Sequence, residues 1–393
     1  MTKGRVFAII IVTLVLALMI GLFVTGMTRG AAWVLDVDSP AEGGEKNGRQ
    51  EFSDFLDGLE DAFDNEDGGF SMFNFSFGWG HNWGSDFKNG TIVTNGSVEI
   101  GANDVKGIKT NWIGGRMTIK THSSSEILLE QTSGSGSIPE DRRLVYRIDD
   151  GRLVLREGAG RRVSSRTATD LVIYLPDRFT FVEDVELNGI ATDIVAEKQT
   201  LTCHDDIEVS VVSGNVNLEG ADSEGSIKMN STSGDMMLTG CRALGDVKLS
   251  TTSGNLKLYE VTATDTVETD TTSGDVYCEN IRAAKFESDA VSGNVTVRGS
   301  SVAEADCSSV SGEITVESGE TMRELDCDTT SGDIRVTLPS NQQGFTAKYG
   351  TVSGDFRCEF ETSQLGKHEF KHGDGSAQFS FNTVSGDMQI IKG

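Results

Sequence analysis

VKLSTTSGNLKLYEVTATDTVETDTTSGDVYCE, residues 247–279, states one phrase twice: Thr-Thr-Ser-Gly, then Asn or Asp, then an apolar residue. The whole chain carries nine such phrases, with Thr or Val before the serine and Asp, Asn or Glu after the glycine. Their glycines are Gly214, Gly234, Gly254, Gly274, Gly293, Gly312, Gly332, Gly354 and Gly386; seven of the eight intervals are 19–22 residues and the last is 32. A period near 20 marks a stack of coils, each coil one supersecondary unit.

Apolar residues alternate on both sides of the phrase. After it come pairs such as Val216/Leu218, Leu256/Leu258, Val276/Cys278, Ile334/Val336 and Phe356/Cys358; before it come Ile207/Val209, Val247/Leu249, Ala305/Cys307 and Phe379/Phe381. Period-two alternation over so short a run predicts strands with one buried face. A third apolar column falls at Ala221, Cys241, Val261 and Ile281. Each coil is therefore expected to hold two or three short strands separated by glycine turns. One coil buries too few side chains to stand alone, so neighbours must stack. The expected fold is all-β: a single-stranded parallel β-solenoid about 40 Å long, right-handed by the crossover rule.

The formal net charge of −26 argues against nucleic acid, which demands a basic footprint. Cys278, Cys307, Cys327 and Cys358 take apolar strand positions and Cys241 sits in the third column. They read as small core residues and free thiols, although Cys307 and Cys327 share a column at a spacing a disulfide would bridge. Cys203 has no assignment from the pattern.

Residues 6–24 carry no charge and follow Lys3 and Arg5. That run is long enough to span a bilayer, and no small-residue cleavage pattern follows it. A retained transmembrane helix is expected, amino terminus inside and the bulk of the chain outside. Residues 1–28 then form the cytoplasmic tip and anchor, and 29–89 a linker, acidic at first and then rich in glycine and aromatics. Within the linker Phe52, Phe55, Leu56, Leu59 and Phe63 have helical spacing, and Phe70 to Trp83 are aromatic-rich. Residues 90–200 read as less regular β structure capping or opening the solenoid of 201–393. Leu144 to Leu155, with Asp150-Gly151 between the alternating runs, is a hairpin signal. Arg142, Arg143, Arg147, Arg152, Arg156, Arg161, Arg162 and Arg166 make a basic island. It suits either a phosphate-rich partner or pairing with the chain's own acids.

His368-Glu369-Phe370-Lys371-His372 matches the zinc-protease pattern, whose chemistry needs both histidines on one helix. Gly366 and Gly373 bracket the five residues, so a helix is not expected; as a strand, His368, Phe370 and His372 would share a face. Nine repeated serines cannot be nine nucleophiles. The column Asn215, Asp235, Asn255, Asp275, Asn294, Glu313, Asp333, Asp355 and Asp387 forms an exposed ladder whose carboxylates would repel unless a cation such as calcium sits between them. No catalytic, cofactor-binding or metal residues are assigned, and no cofactor is expected.

The Thr/Val-Ser-Gly-Asp/Asn-Val phrase resembles the bacterial putative-adhesin family of β-strand repeats, a domain of unknown function. So does the ending: Leu338-Pro339, Thr351 to Asp355, a break at Gly373 to Gly375, then Thr383 to Asp387. The resemblance spans about residues 170–393, more weakly from 90, and implies an extracytoplasmic, often membrane-tethered β-solenoid without catalytic residues. The leading expectation is a non-enzymatic binding or scaffold module of the cell envelope, with a polymer or protein partner and scope for homo-oligomers. One alternative is a polysaccharide-active β-helix enzyme, announced by the stretched intervals around Gly354 and Gly386. The other is a self-assembling filament, because the chain ends seven residues past Gly386 and would leave an open strand edge.

Overall fold

The computed structural model describes residues 89–158 and 167–393. The expected anchor at 6–24, the linker with its candidate helix and aromatic stretch, and Arg161, Arg162 and Arg166 lie outside the described residues.

Each regular coil lays down three strands. In the coil that starts at residue 247 these are Val247–Ser253, Leu256–Tyr259 and Thr262–Ala263. Val247, Leu249, Leu256, Leu258 and Val261 are fully buried, while Lys248, Lys257 and Tyr259 alternate with them on the outer side. Strands of successive coils pair in parallel: Val247 lies beside Ile227 and Val267, and Leu256 beside Met236 and Val276. The step is 20 residues there, contracts to 19 from Val267 to Phe286 to Ala305, and returns to 20 at Leu325. The structure is thus an all-β repeat fold with three parallel files. Ala221, Cys241, Val261 and Ile281, the third column, are buried at the entrance to the short third strand.

Glycine is required at the serine–glycine corner because backbones meet there. A Cβ at Gly274 would lie 1.9 Å from the Gly254 carbonyl oxygen, and one at Gly254 would lie 2.1 Å from that of Gly234. The same glycines hold φ near +150°, which L side chains resist. The repeated motif is therefore a stacking device.

The files extend back beyond the first serine–glycine phrase. Val185–Ala196 bends through a corner and supplies two files at once, pairing with Ile207–Ser213 and Val216–Glu219. Gly107–His122 does the same against Val185–Ala196. Outside it lie Arg152–Glu157 and Thr169–Pro176. Antiparallel strands then close the end: Leu144–Asp149 and Thr91–Ile92 on the first file, Glu126–Ser133 and Ser97–Gly101 on the second. The Asp150-Gly151 hairpin forms with both turn residues at positive φ, 49° and 92°.

At the other end, order in space departs from order in sequence. Ala377–Asn382 inserts between Glu324–Ser331 and Gly344–Gly350, and Met388–Lys392 between Ile334–Leu338 and Phe356–Cys358. The last coil of the chain is consequently not the outermost one, contrary to the open edge expected past Gly386. The outermost coil is 345–358, and the hairpin Ser363–Gly366/Glu369–Gly373 covers its first file by antiparallel pairing. Phe356 and Cys358, expected as core, are only half-buried, because their strand has a neighbour on one side.

Candidate functional site

The Ser-Gly-Asp corners align in one file, so the acidic column is real, and its hydrogen bonds explain it. One coil's side-chain oxygen accepts the next coil's backbone N–H. Asn215 N donates to Asp193 Oδ1 at 2.9 Å, Asp235 N to Asn215 Oδ1 at 2.9 Å, Asn255 N to Asp235 Oδ1 at 2.8 Å and Asp275 N to Asn255 Oδ1 at 3.0 Å. Asn294 and Glu313 continue the chain, and it resumes from Asp333 to Asp387 to Asp355 in the spatial order of the coils. Asp and Asn alternate from Asp193 to Asn294, which keeps like charges two coils apart, roughly 10 Å. Over that stretch backbone donors and interleaved amides separate the charges. Glu313, Asp333, Asp387 and Asp355, by contrast, stand on consecutive coils with no amide side chain between them, and there Asp333 and Asp387 rely on backbone donors alone. Among the described residues no group of three or more His, Cys, Asp or Glu side chains is placed to hold a metal ion.

At the amino-terminal end of this corner an open cleft of about 480 Å³ is lined by Gly115, Arg116, Asp170, Ala191, Asp193, Ser213 and Gly214. Arg116 stands where the column would carry Asp. Its backbone N–H donates to Asp170 Oδ1 at 2.8 Å, and its guanidinium lies 3.6 Å from Asp193. Sequence reading missed this corner because residues 113–116 read Ile-Gly-Gly-Arg, not Ser-Gly-Asp. Beneath it sits a buried polar node: Glu157 accepts from Ile113 N, Gly114 N, Thr169 Oγ1 and Arg142 Nη1, at 2.7–3.2 Å. Gln131 donates to Thr169 Oγ1 and to the Arg142 carbonyl, so every polar group named here has a partner in a dry setting.

The outer side of the first file is acidic over its later coils, where Glu268, Asp270, Glu287, Asp289, Asp306 and Asp326 come into register or diagonal proximity. Burial raises the Asp270 carboxyl to about 7, with Glu268 pushing the same way and Lys248 opposing. Its side chain is 15% exposed, 3.7 Å from Lys248 and 3.2 Å from Ser250 Oγ. Asp270 protonates more readily folded than unfolded. Its contribution therefore favours the fold below the unfolded value near 4 and is lost as pH rises toward 7, being flat above. Asp270→Asn is expected to raise the melting temperature at pH 8 and flatten the slope between pH 4 and 7; an unchanged slope would contradict the assignment.

The remaining candidates resolve into structure. His368 lies in the turn before Glu369–Gly373, so no zinc-protease helix forms. Phe370 and His372 share a face, both packed on Phe345, and His372 Nδ1 is 2.7 Å from the Glu361 carbonyl oxygen. His368 packs edge-on against Tyr349. The stretched interval before Gly386 is thus filled by an aromatic-lined hairpin. Among the described arginines of the basic island, Arg142 pairs with Glu157, Arg143 with Glu140, Arg147 with Asp149, and Arg152 with Asp184 and Glu186. Arg156 is buried, which lowers its pKa. All six cysteines are free thiols. Cys203 lies in the third file between Phe181 and Ser223, donating to the Glu183 carbonyl at 3.1 Å, and burial raises it to about 11.

The repeat files and their caps coincide with a known family: the profile described as Toastrack DUF4097 matches residues 94–391. The chain belongs to this family. The resemblance drawn from the serine–glycine phrases therefore holds, and the match from residue 94 includes the stretch before the first phrase where the likeness in sequence is weaker. No curated protein matches. Solved structures with similarity include a putative cell adhesion protein from Clostridium sporogenes at 10% identity, covering 76% of this chain and 98% of that one with a TM-score of 0.20. A putative adhesin from Parabacteroides distasonis has 13% identity, coverage of 63% and 98%, and a TM-score of 0.44. A putative lipid binding protein from Parabacteroides distasonis has 16% identity, coverage of 61% and 92%, and a TM-score of 0.41. None of these similarities assigns a function to the Toastrack chain.

Proposed function

We propose that this Toastrack chain is a non-enzymatic binding scaffold of the cell envelope: a right-handed β-solenoid held outside the membrane by the helix at residues 6–24, through the linker at 29–89. The observation that carries the reading is the fate of the repeated motif. Glycine and Asp/Asn are consumed in holding coil to coil, and serine joins them through its backbone carbonyl while its side chain stays on the exposed corner, which leaves the outer faces as the surfaces free to meet a partner. Antiparallel strands cap the amino-terminal end and cover the first file at the other end, and the strand left with one neighbour, Phe356–Cys358, is three residues long, which favours a closed module over a filament. The polysaccharide-enzyme alternative rested on the stretched interval near Gly386, and a packed hairpin occupies it.

The test is retention of envelope material by the full-length protein in detergent. A glycan or protein partner held without turnover is the expected result. Release of oligosaccharide products would overturn the scaffold reading, as would retention of nothing.

A further inference from the structure

From residue 207 to residue 338 the chain contains three aromatic residues, Tyr259, Tyr277 and Phe286. Phe286 is fully buried. The two tyrosines lie on the outer side of the second file, in adjacent coils, where the inward positions are Leu256, Leu258, Val276 and Cys278. Lys257 pairs with Tyr277, and Tyr259 with Glu279, so the rings sit on a diagonal. Their centroids are 5.7 Å apart with a 45° tilt.

Tyr277 is held in place. Its hydroxyl donates to Glu279 Oε2 at 3.0 Å, and the Arg298 guanidinium of the next coil lies 6.0 Å from its ring centroid. Lys257, Glu279 and Arg298 thus bring both charge signs and both donors and acceptors to the rim of one aromatic patch. Three coils of this file cover about 10–15 Å along the stack, the span of two or three sugar rings.

We propose that Tyr259 and Tyr277 form a stacking platform for an uncharged polysaccharide chain, oriented by Lys257, Glu279 and Arg298. The C–H faces of pyranose rings are apolar and match the negative faces of aromatic rings, while sugar hydroxyls both donate and accept. The net charge of −26 repels polyanionic polymers, which selects the neutral class. This inference rests on the scaffold reading and assigns its surface. The competing account is that the pair serves only cross-strand stability.

The experiment titrates the full-length protein with neutral hexasaccharides: β-1,4-glucan, β-1,3-glucan and β-1,4-linked N-acetylglucosamine. At least one is expected to bind, and Tyr259→Thr with Tyr277→Thr should weaken it about tenfold or more in a protein that still melts cooperatively. Tyr259→Phe should bind nearly as well as the parent, since it keeps the ring. If no hexasaccharide binds, or the double threonine variant binds as tightly as the parent, the platform is wrong. Envelope retention separates the two levels. A parent protein and double variant that hold the same neutral glycan equally overturn the platform and leave the scaffold standing, whereas a parent that holds nothing overturns both.

Discussion

Gly274→Ala is expected to destabilise the fold by about 4 kcal/mol. Two costs combine: alanine must adopt φ near +150°, and its methyl carbon would sit 1.9 Å from the Gly254 carbonyl oxygen. Neither can relax locally, because the clashing atom belongs to the adjacent coil's backbone and that coil is pinned by its own neighbour. Gly240→Ala is the control. Gly240 also has positive φ, 61°, but nothing lies within 4 Å of its Cβ position, so it should lose only about 1 kcal/mol. Urea denaturation of both variants measures the difference. Equal small losses would mean that close stacking is not what the glycine provides.

Glu157→Leu carries the second large effect, a loss of about 4 kcal/mol. The carboxylate is fully buried and serves Arg142, Thr169 and two backbone N–H groups where Gly107–His122 turns its corner. Leucine restores volume but none of these acceptors, and it leaves a guanidinium in a setting chosen for a neutralised pair. Adding Arg142→Met should recover part of the loss, so the double variant is more stable than the sum of the singles predicts. Strict additivity would show that the pair does not act as a unit. The damage should concentrate in the amino-terminal cap, where amides of Leu144–Asp149 and Thr169–Pro176 would exchange faster than those of the coils at 227–279.

The regular coils were legible because the repeat repeats its chemistry. Leu256, Leu258 and Val261 sit where period two and period 20 both place them, and no distant segment competes for their neighbours. The ends were not legible, for a topological reason. Nothing in Ala377–Asn382 or Met388–Lys392 distinguishes a strand that follows the previous coil from one that slips inside it, since either neighbour offers the same apolar column. That ambiguity turned the half-buried Phe356 and Cys358 into expected core, and it placed the expected open edge past Gly386 when the strand with one neighbour is Phe356–Cys358. The acidic column was readable as a ladder but not in its mechanism, because its acceptor role depends on which backbone N–H comes within 3 Å. The arginine island misled in part for a related reason: its partners Glu157, Asp184 and Glu186 are recruited by strand pairing that local sequence does not display.

The stacking claim reduces to distances that must grow by one increment for every rung climbed. Spin labels attached at Asn217→Cys and at one of Tyr277→Cys, Thr315→Cys or Arg335→Cys sample three, five and six steps of the second file. Pulsed dipolar spectroscopy should give separations near 14, 24 and 29 Å, a line of slope about 4.8 Å per step; the native thiols are buried or half-buried, and a labelled parent measures their background. Separations that fail to rise in that order would contradict the stack of coils.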